Sequence, residues 1–367
     1  MMDLSQISVV LPSLDPDEKL LRVVDGLLDH GFTDIILVDD GSKPENLHYF
    51  ETAAQHPQVT LLHHPENRGK GAALKTAFRW FLENRPEHAG VVTVDGDDQH
   101  HPEDTMACCQ EMLESGKVIL GCRDFSLPHV PKRSRTGNHI TCTVFKLLCG
   151  MTLSDTQTGL RAIPTPAVRA FCEVKGDRFE YETNMLLAMK EQGIEYGEVK
   201  IRTVYIEENK SSHFRVIQDS WRIYKLILAH FFRFALSSIL SSLVDIGLYA
   251  LLCWLLRDVG GWVLMVVPFV VARAVSAVGN FFINKKLVFH SRVATGGAMA
   301  RYLCLVVLML LLQLGLSDGV YLLLRIGDDR VLLRTVIYAA VMIGLYFFSF
   351  MIQQRWVFAK RTNKKDV

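Results

Sequence analysis

The sequence of 367 residues predicts a mostly parallel α/β sheet domain followed by an all-α membrane domain of four transmembrane helices. Three observations predict it. Short β-branched apolar runs alternate with helix-period segments up to about Lys225, the pattern of βαβ units. From residue 231 to 358 the composition turns to Leu, Val, Phe, Ile and Ala, and the mean hydropathy of +0.18 averages these two materials. The strands of the first half end in polar or acidic turns, which is where ligands gather on open parallel sheets.

Taken in order, ISVVL (residues 7–11) is a first buried strand, closed by Pro12. Residues 17–30 have helical periodicity, with Leu20, Leu21, Val24, Leu27 and Leu28 on one face and Gly31 as the stop. A second strand, residues 35–38, runs into Asp39, Asp40, Gly41 and Ser42. A third, residues 59–62, precedes NRGKGAAL and a helix over 72–81. Two glycines around Lys70 at a helix mouth let the backbone approach a phosphate, although a Gly-rich helix entry is also what an ordinary turn looks like.

The next strand, residues 91–94, breaks into DGDDQ. Two carboxylates one residue apart at a strand end, Asp95 and Asp97, can point to one side, and hard oxygen ligands suit Mg²⁺ or Mn²⁺ rather than zinc. Taken alone, such a triplet equally describes a solvated acidic turn. Its placement beside two other functional-looking strand ends, Pro12-Ser13 and Asp39-Asp40, favours a site.

Bulk properties exclude other classes. The formal net charge is +1 and no basic stripe interleaves with aromatics in the first half, so nucleic acid is not an expected partner. The eight cysteines form no CxxC pair and suggest neither a zinc site nor a disulfide framework. The start MMDLSQISVVLPS lacks a basic region and a long apolar core, so the first half is expected to stay on the side where it is made.

The order VVLPS, VDDGS, NRGKGAAL, VDGDDQHHPED, GCRDF, SDTQTGLRAIP resembles the family 2 glycosyltransferases of the GT-A, Rossmann-like fold, and most of all their dolichol-phosphate mannosyltransferase group. The resemblance covers roughly the first 215 residues. It implies a polyprenyl-phosphate hexosyltransferase with Pro12, Asp39, Lys70 and Asp95 on the nucleotide-sugar, and Asp95, Asp97 and Gln99 around a Mg²⁺ or Mn²⁺ ion. It also implies Arg123, Arg135 and Asn138 at the acceptor phosphate, and catalytic roles for Asp97, Arg123 and Arg135. Asp155, Thr158, Gly159 and Arg161 match the family's Asp-x-x-Ser-Gly-Phe-Arg loop, with Thr for Ser and Leu for Phe. Glu180 and Glu182, in RFEYETNML, either position an active-site arginine or supply charge at a helix start. The family's closing Arg and Gly-x-Ser-Lys turn is replaced by EENKSSHFR, where Lys210, Ser212 and His213 are candidates for the same loop.

The expected divisions are a catalytic domain over 1–213, an amphipathic interfacial helix over 214–232, and a membrane domain over 233–367. In the helix, Arg215, Arg222 and Lys225 interleave with apolar residues. The spans fall near 234–256, 262–284, 302–324 and 332–352, each about the 20 residues that cross hydrocarbon. NFFINKKLVF (280–289) and SFMIQQRWVF (349–358) match at the ends of the second and fourth spans, while Arg233-Phe234 and Arg301-Tyr302 open the first and third. A two-helix unit is therefore used twice. The QQRW stretch is accordingly a helix end rather than an acceptor site. This half resembles the GtrA family, four-helix proteins associated with lipid-linked sugars. Lys285, Lys286, Arg301 and Arg355 share one side, which places the catalytic domain and both termini in the cytoplasm of a multi-pass cell-membrane protein. Asp245 and Arg273 fall near mid-span, where isolated charges are costly, so they are expected to pair.

The reading is an inverting, metal-dependent transfer of a sugar from a UDP- or GDP-sugar to polyprenyl phosphate, with the membrane half assisting movement of the product. The alternative is a membrane carrier or scaffold for lipid-linked sugars whose soluble domain only binds nucleotide-sugar. A homo-oligomer is left open.

Overall fold

In the computed structural model, residues 4–204, 216–257, 261–289, 291, 293–326 and 330–358 are described. The chain divides into two compact units, Met1–Lys146 with Met151–Leu226, and Leu147–Gly150 with Ile227–Val367.

The first unit is a seven-stranded sheet flanked by helices. In chain order come β1 (Ile7–Ser13), α1 (Lys19–Asp29), β2 (Ile35–Asp39), α2 (Leu47–Ala53), β3 (Val59–His63), α3 (Lys70–Asn84) and β4 (Gly90–Thr93). They are followed by α4 (Pro102–Ser115), β5 (Val118–Arg123), α5 (Lys132–Val144), β6 (Arg161–Pro164), α6 (Thr165–Cys172), α7 (Glu180–Gln192) and β7 (Tyr196–Ile201). The spatial order is β3-β2-β1-β4-β6-β5-β7. Strand β6 runs antiparallel to both β4 and β5, and every other pairing is parallel. This is the mostly parallel α/β sheet expected of the first half. Strands β1, β2 and β4 are buried on both faces, so their near-continuous apolar runs are what a covered parallel sheet demands.

Chain order reverses between β1 and β4, so their carboxyl ends open a crevice where ligands of such sheets sit. Pro12 and Ser13 pair with Val38 and Asp39 across β1 and β2, and Val10 pairs with Thr93 across the parallel β1 and β4, which puts the three polar strand ends on one edge.

Four long helices follow, α8 (Val216–Leu255), which belongs to the second unit from Ile227 on, and α9 (Gly261–Ile283), α10 (Thr295–Leu323) and α11 (Val331–Ile352), which lie wholly within it. Apolar stretches long enough to cross a membrane cover Phe232–Leu255, Val266–Val288, Thr295–Leu323 and Leu332–Val357. Helix α8 has no break at residue 232, where an interfacial helix was expected to give way to the first span.

The internal repeat is visible atom by atom. Both α9 and α11 end in a wide π turn, Asn284–Val288 and Gln353–Val357, at matching positions. Asn284 Nδ2 donates to its counterpart Gln353 Oε1 at 3.1 Å, and the counterparts Phe289 and Phe358 stack at 5.1 Å. Phe281 meets Phe358 and Phe350 meets Phe289, each at 5.5 Å. Phe281 also packs on Tyr302 as Phe350 packs on Phe234. Two copies of one hairpin thus face each other around an aromatic core, which buries at their joint end the rings that neither copy could cover alone.

Candidate active site

A cavity of about 210 Å³ opens beyond β1 and β2, lined by Pro12, Ser13, Asp40, Lys70, Arg178 and Phe179 among others. Asp40 shapes its wall. Its carboxylate accepts the backbone N–H groups of Arg68 at 3.0 Å and Gly69 at 2.7 Å, and lies 2.7 Å from His64 Nδ1. His64 Nε2 continues the chain to Thr76 Oγ1 at 2.9 Å. Gly69 holds φ +100, a left-handed turn in which a side chain would also overlap the Asp177 carbonyl. Loop 66–69 is therefore fixed from below by a buried carboxylate, delivering Lys70 at the first position of α3. The neighbouring Asp39 turns its carboxylate to the Ser42 N–H at 2.8 Å and to His63 Nδ1 at 2.9 Å.

The acidic turn after β4 meets Lys70. Its Nζ lies 2.7 Å from Asp95 Oδ1 and 2.9 Å from Glu182 Oε1. Burial alone would lower this ammonium's pKa, but the two carboxylates hold it above its ordinary value. Burial likewise pushes the Asp95 carboxyl up, and Lys70 outweighs it and holds the group below the carboxylate range. Among the described residues Asp97 has no such ion pair. Burial, and then the charge of Asp95, raise it to about 6. Its Oδ1 accepts the Gln99 N–H at 3.2 Å, closing the turn. His100 Nδ1 accepts the Asp95 N–H at 3.2 Å, and burial lowers its pKa to about 4, so the ring is neutral.

Gly159 completes this corner. A side chain there would overlap the Asp95 carboxylate, so the backbone of the 155–161 loop can close on Asp95 only as glycine. Arg161 lies beneath, 2 % exposed, donating from Nε to the Thr158 carbonyl at 3.1 Å and from Nη1 to the Glu182 carbonyl at 2.8 Å.

The donors suit a hard divalent cation. Asp95 and Asp97 offer carboxylate oxygens; burial, and then the charge of Asp95, raises Asp97, and added positive charge would oppose both effects. Among the described residues no group of three or more His, Cys, Asp or Glu converges, so a cation here would complete its shell with Gln99, water or a bound phosphate.

Arg123, at the end of β5, forms a two-pronged pair with the fully buried Asp155, Nε to Oδ2 at 2.7 Å and Nη2 to Oδ1 at 3.2 Å. Arg135 donates from Nε to the Phe125 carbonyl at 2.9 Å and from Nη2 to the Leu127 carbonyl at 2.8 Å. Asn138, buried on α5, donates to the Ser154 carbonyl at 2.7 Å. Arg135 and Asn138 thereby tie α5 to the segments flanking the Arg123–Asp155 pair. Lys210, Ser212 and His213 lie outside the described residues.

The structure thus joins Lys70 and Asp95 with Glu182, which the sequence left between two roles. The sequence marks Asp39-Asp40 as a strand end but not the role of Asp40 and His64 in holding loop 66–69, because both act through partners distant in the chain.

A mostly parallel sheet with an acidic, lysine-paired turn at its switch point, followed by four membrane-length helices, defines an α/β protein carrying a helical membrane domain. The model of glycosyl transferase family 2 matches residues 8–169, and that of the GtrA/DPMS transmembrane domain matches residues 231–358. An uncharacterized protein of Methanocaldococcus jannaschii, MJ1222, is 30% identical over 232 residues, 62% of this chain and 93% of that protein. The UDP-N-acetylglucosamine–dolichyl-phosphate N-acetylglucosaminyltransferase of Methanococcus voltae is 26% identical over 240 residues, 60% and 95% of the two chains. The undecaprenyl-phosphate mannosyltransferase of Micrococcus luteus is 25% identical over 215 residues, 56% and 86%. The chain belongs to the family 2 glycosyltransferases and is a glycosyltransferase carrying a GtrA-like transmembrane domain.

Proposed function

We propose that the protein transfers a sugar from a UDP- or GDP-sugar to a polyprenyl phosphate at the cytoplasmic face of the cell membrane. The observation that supports this most is the charge arrangement at the switch point, where Lys70 pairs with Asp95 while burial and the charge of Asp95 raise the neighbouring Asp97. The relatives named for lipid-phosphate acceptors, and a membrane domain on the same chain, support the acceptor class.

In this reading Pro12 and the Asp39–Asp40 strand end cradle base and ribose, with Lys70 along the nucleotide. Asp97, Gln99 and the remaining oxygen of Asp95 would hold Mg²⁺ or Mn²⁺, which when bound supplies positive charge to the departing diphosphate. The acceptor needs little deprotonation, because a phosphate monoester's second pKa is about 6. Its oxygen attacks the anomeric carbon in line as the bond from that carbon to the nucleoside diphosphate breaks, with inversion. Arg135 and Asn138 on α5, with Arg123, orient the acceptor phosphate. Arg123 is shared between that phosphate and Asp155. The basic Lys285, Lys286, Arg301 and Arg355 at the ends of the spans support this orientation.

Asp97→Asn tests the assignment. Sugar transfer should be lost while the variant stays inserted and folded; transfer at the wild-type rate would refute the role of Asp97.

A further inference from the structure

The two glycines around Lys70 admit protein rather than a ligand. A side chain at Gly69 would overlap Asp177 and Arg178, and one at Gly71 would overlap Tyr181. A segment distant in the chain therefore lies directly on the entry of α3, and it is fastened there. The Asp177 carbonyl accepts the Ala72 N–H at 3.0 Å, and the Asp177 carboxylate lies 2.6 Å from Lys75 Nζ. Gly176, at φ +104, turns the chain into this contact. Tyr181 is fully buried, and its hydroxyl donates to the Phe171 carbonyl at 2.8 Å.

The fastening places Arg178 and Phe179. Both join Pro12, Ser13 and Lys70 in lining the cavity of about 210 Å³. An arginine left to water would need neither two glycines nor a lysine bridge to fix its backbone.

Charge decides what this arginine is for. A nucleoside diphosphate carries its negative charge on two phosphates, and the cations lining the cavity among the described residues are Lys70 and Arg178. The Lys70 ammonium is already shared between Asp95 at 2.7 Å and Glu182 at 2.9 Å. Asp40, the lining carboxylate, is turned to the N–H groups of its own loop. Arg178 is exposed and, among the described residues, enters no ion pair. Its guanidinium presents N–H donors in a rigid fork that matches phosphate oxygens.

We propose that Arg178 is a donor-binding residue, giving hydrogen bonds and positive charge to a phosphate oxygen of the nucleoside diphosphate, and that the segment from Gly176 to Tyr181 is a wall of the donor pocket. The inference rests on the nucleotide-sugar reading of that pocket, and it assigns the phosphate charge to Arg178 instead of Lys70.

The test titrates UDP and GDP calorimetrically into the detergent-solubilised full chain with Mg²⁺, over roughly 50 to 400 mM KCl. Whichever nucleotide binds the wild type should bind Arg178→Gln roughly tenfold more weakly at low salt. Arg178→Lys, which keeps the charge and loses the fork, should fall between the two. The decline of affinity with salt should be shallower in Arg178→Gln than in the wild type. Both variants should melt with the wild type, because the side chain is exposed. Undiminished affinity in folded Arg178→Gln would overturn the proposal. So would a loss with an unchanged salt slope, which marks an uncharged contact to the base. Binding of neither nucleotide to the wild type would overturn it together with the nucleotide-sugar reading. Arg178-dependent binding without transfer to polyprenyl phosphate would uphold it and count against the acceptor assignment alone.

Discussion

Asp95 and Asp97 are two residues apart and chemically identical, yet their surroundings separate them. Lys70 keeps the first ionised, and burial beside that charge raises the second to about 6. Gly159 is what lets the loop close on Asp95. Gly159→Ala should therefore displace the carboxylate, costing about 1–3 kcal/mol of stability through overpacking and slowing transfer roughly 100-fold through misplacement; denaturation midpoints and initial rates measure the two effects. His100 gives a pH signature. The unfolded chain takes up this proton near 6.5 and the fold only near about 4, so between those values the unfolded state binds more protons. Its contribution is complete above about 6.5 and disappears as the pH falls towards 4. The Tm of the wild type should drop more steeply on acidification over that window than that of His100→Gln, and parallel slopes would refute it.

At the scale of elements, the strands carrying the site were legible because a sheet covered on both faces demands unbroken β-branched runs, as in residues 7–11 and 35–38. Strand β6 was not. It is four residues long, runs against its neighbours, and is placed by contacts of its preceding loop that no local pattern encodes. The Arg123–Asp155 pair holds that loop to β5. Arg123→Gln should cost about 3–5 kcal/mol, because it strands a buried carboxylate. A loss below 1 kcal/mol in urea titration would mean that Asp155 finds another partner. In the membrane unit the repeat and the Asp245–Arg273 pair were both readable, the first from matched helix ends and the second because mid-span charges need partners. The Asn284–Gln353 bond across the two copies should give a double-mutant coupling of about 0.6–1.7 kcal/mol, measured in detergent-resolved unfolding.

Across the whole molecule, composition alone separated a water-adapted α/β unit from a lipid-adapted helical one, since each solvent imposes its own pattern on the chain. Motif order supplied the family. The pairings that decide charge at the site, Lys70 with Glu182 and Asp40 with His64, stayed hidden because they depend on tertiary closure. The central claim is that a sheet-edge acidic pair, with a divalent cation, draws a sugar from a nucleotide onto a lipid phosphate. Its most direct test incubates the purified full chain with Mg²⁺ or Mn²⁺, a short polyprenyl phosphate and a panel of UDP- and GDP-sugars, and weighs the lipid product by mass spectrometry. The account predicts a polyprenyl phosphate heavier by one sugar residue with at least one donor, abolished by EDTA and restored by the metal. An unmodified lipid with every donor, or a product formed equally well in EDTA, would contradict it.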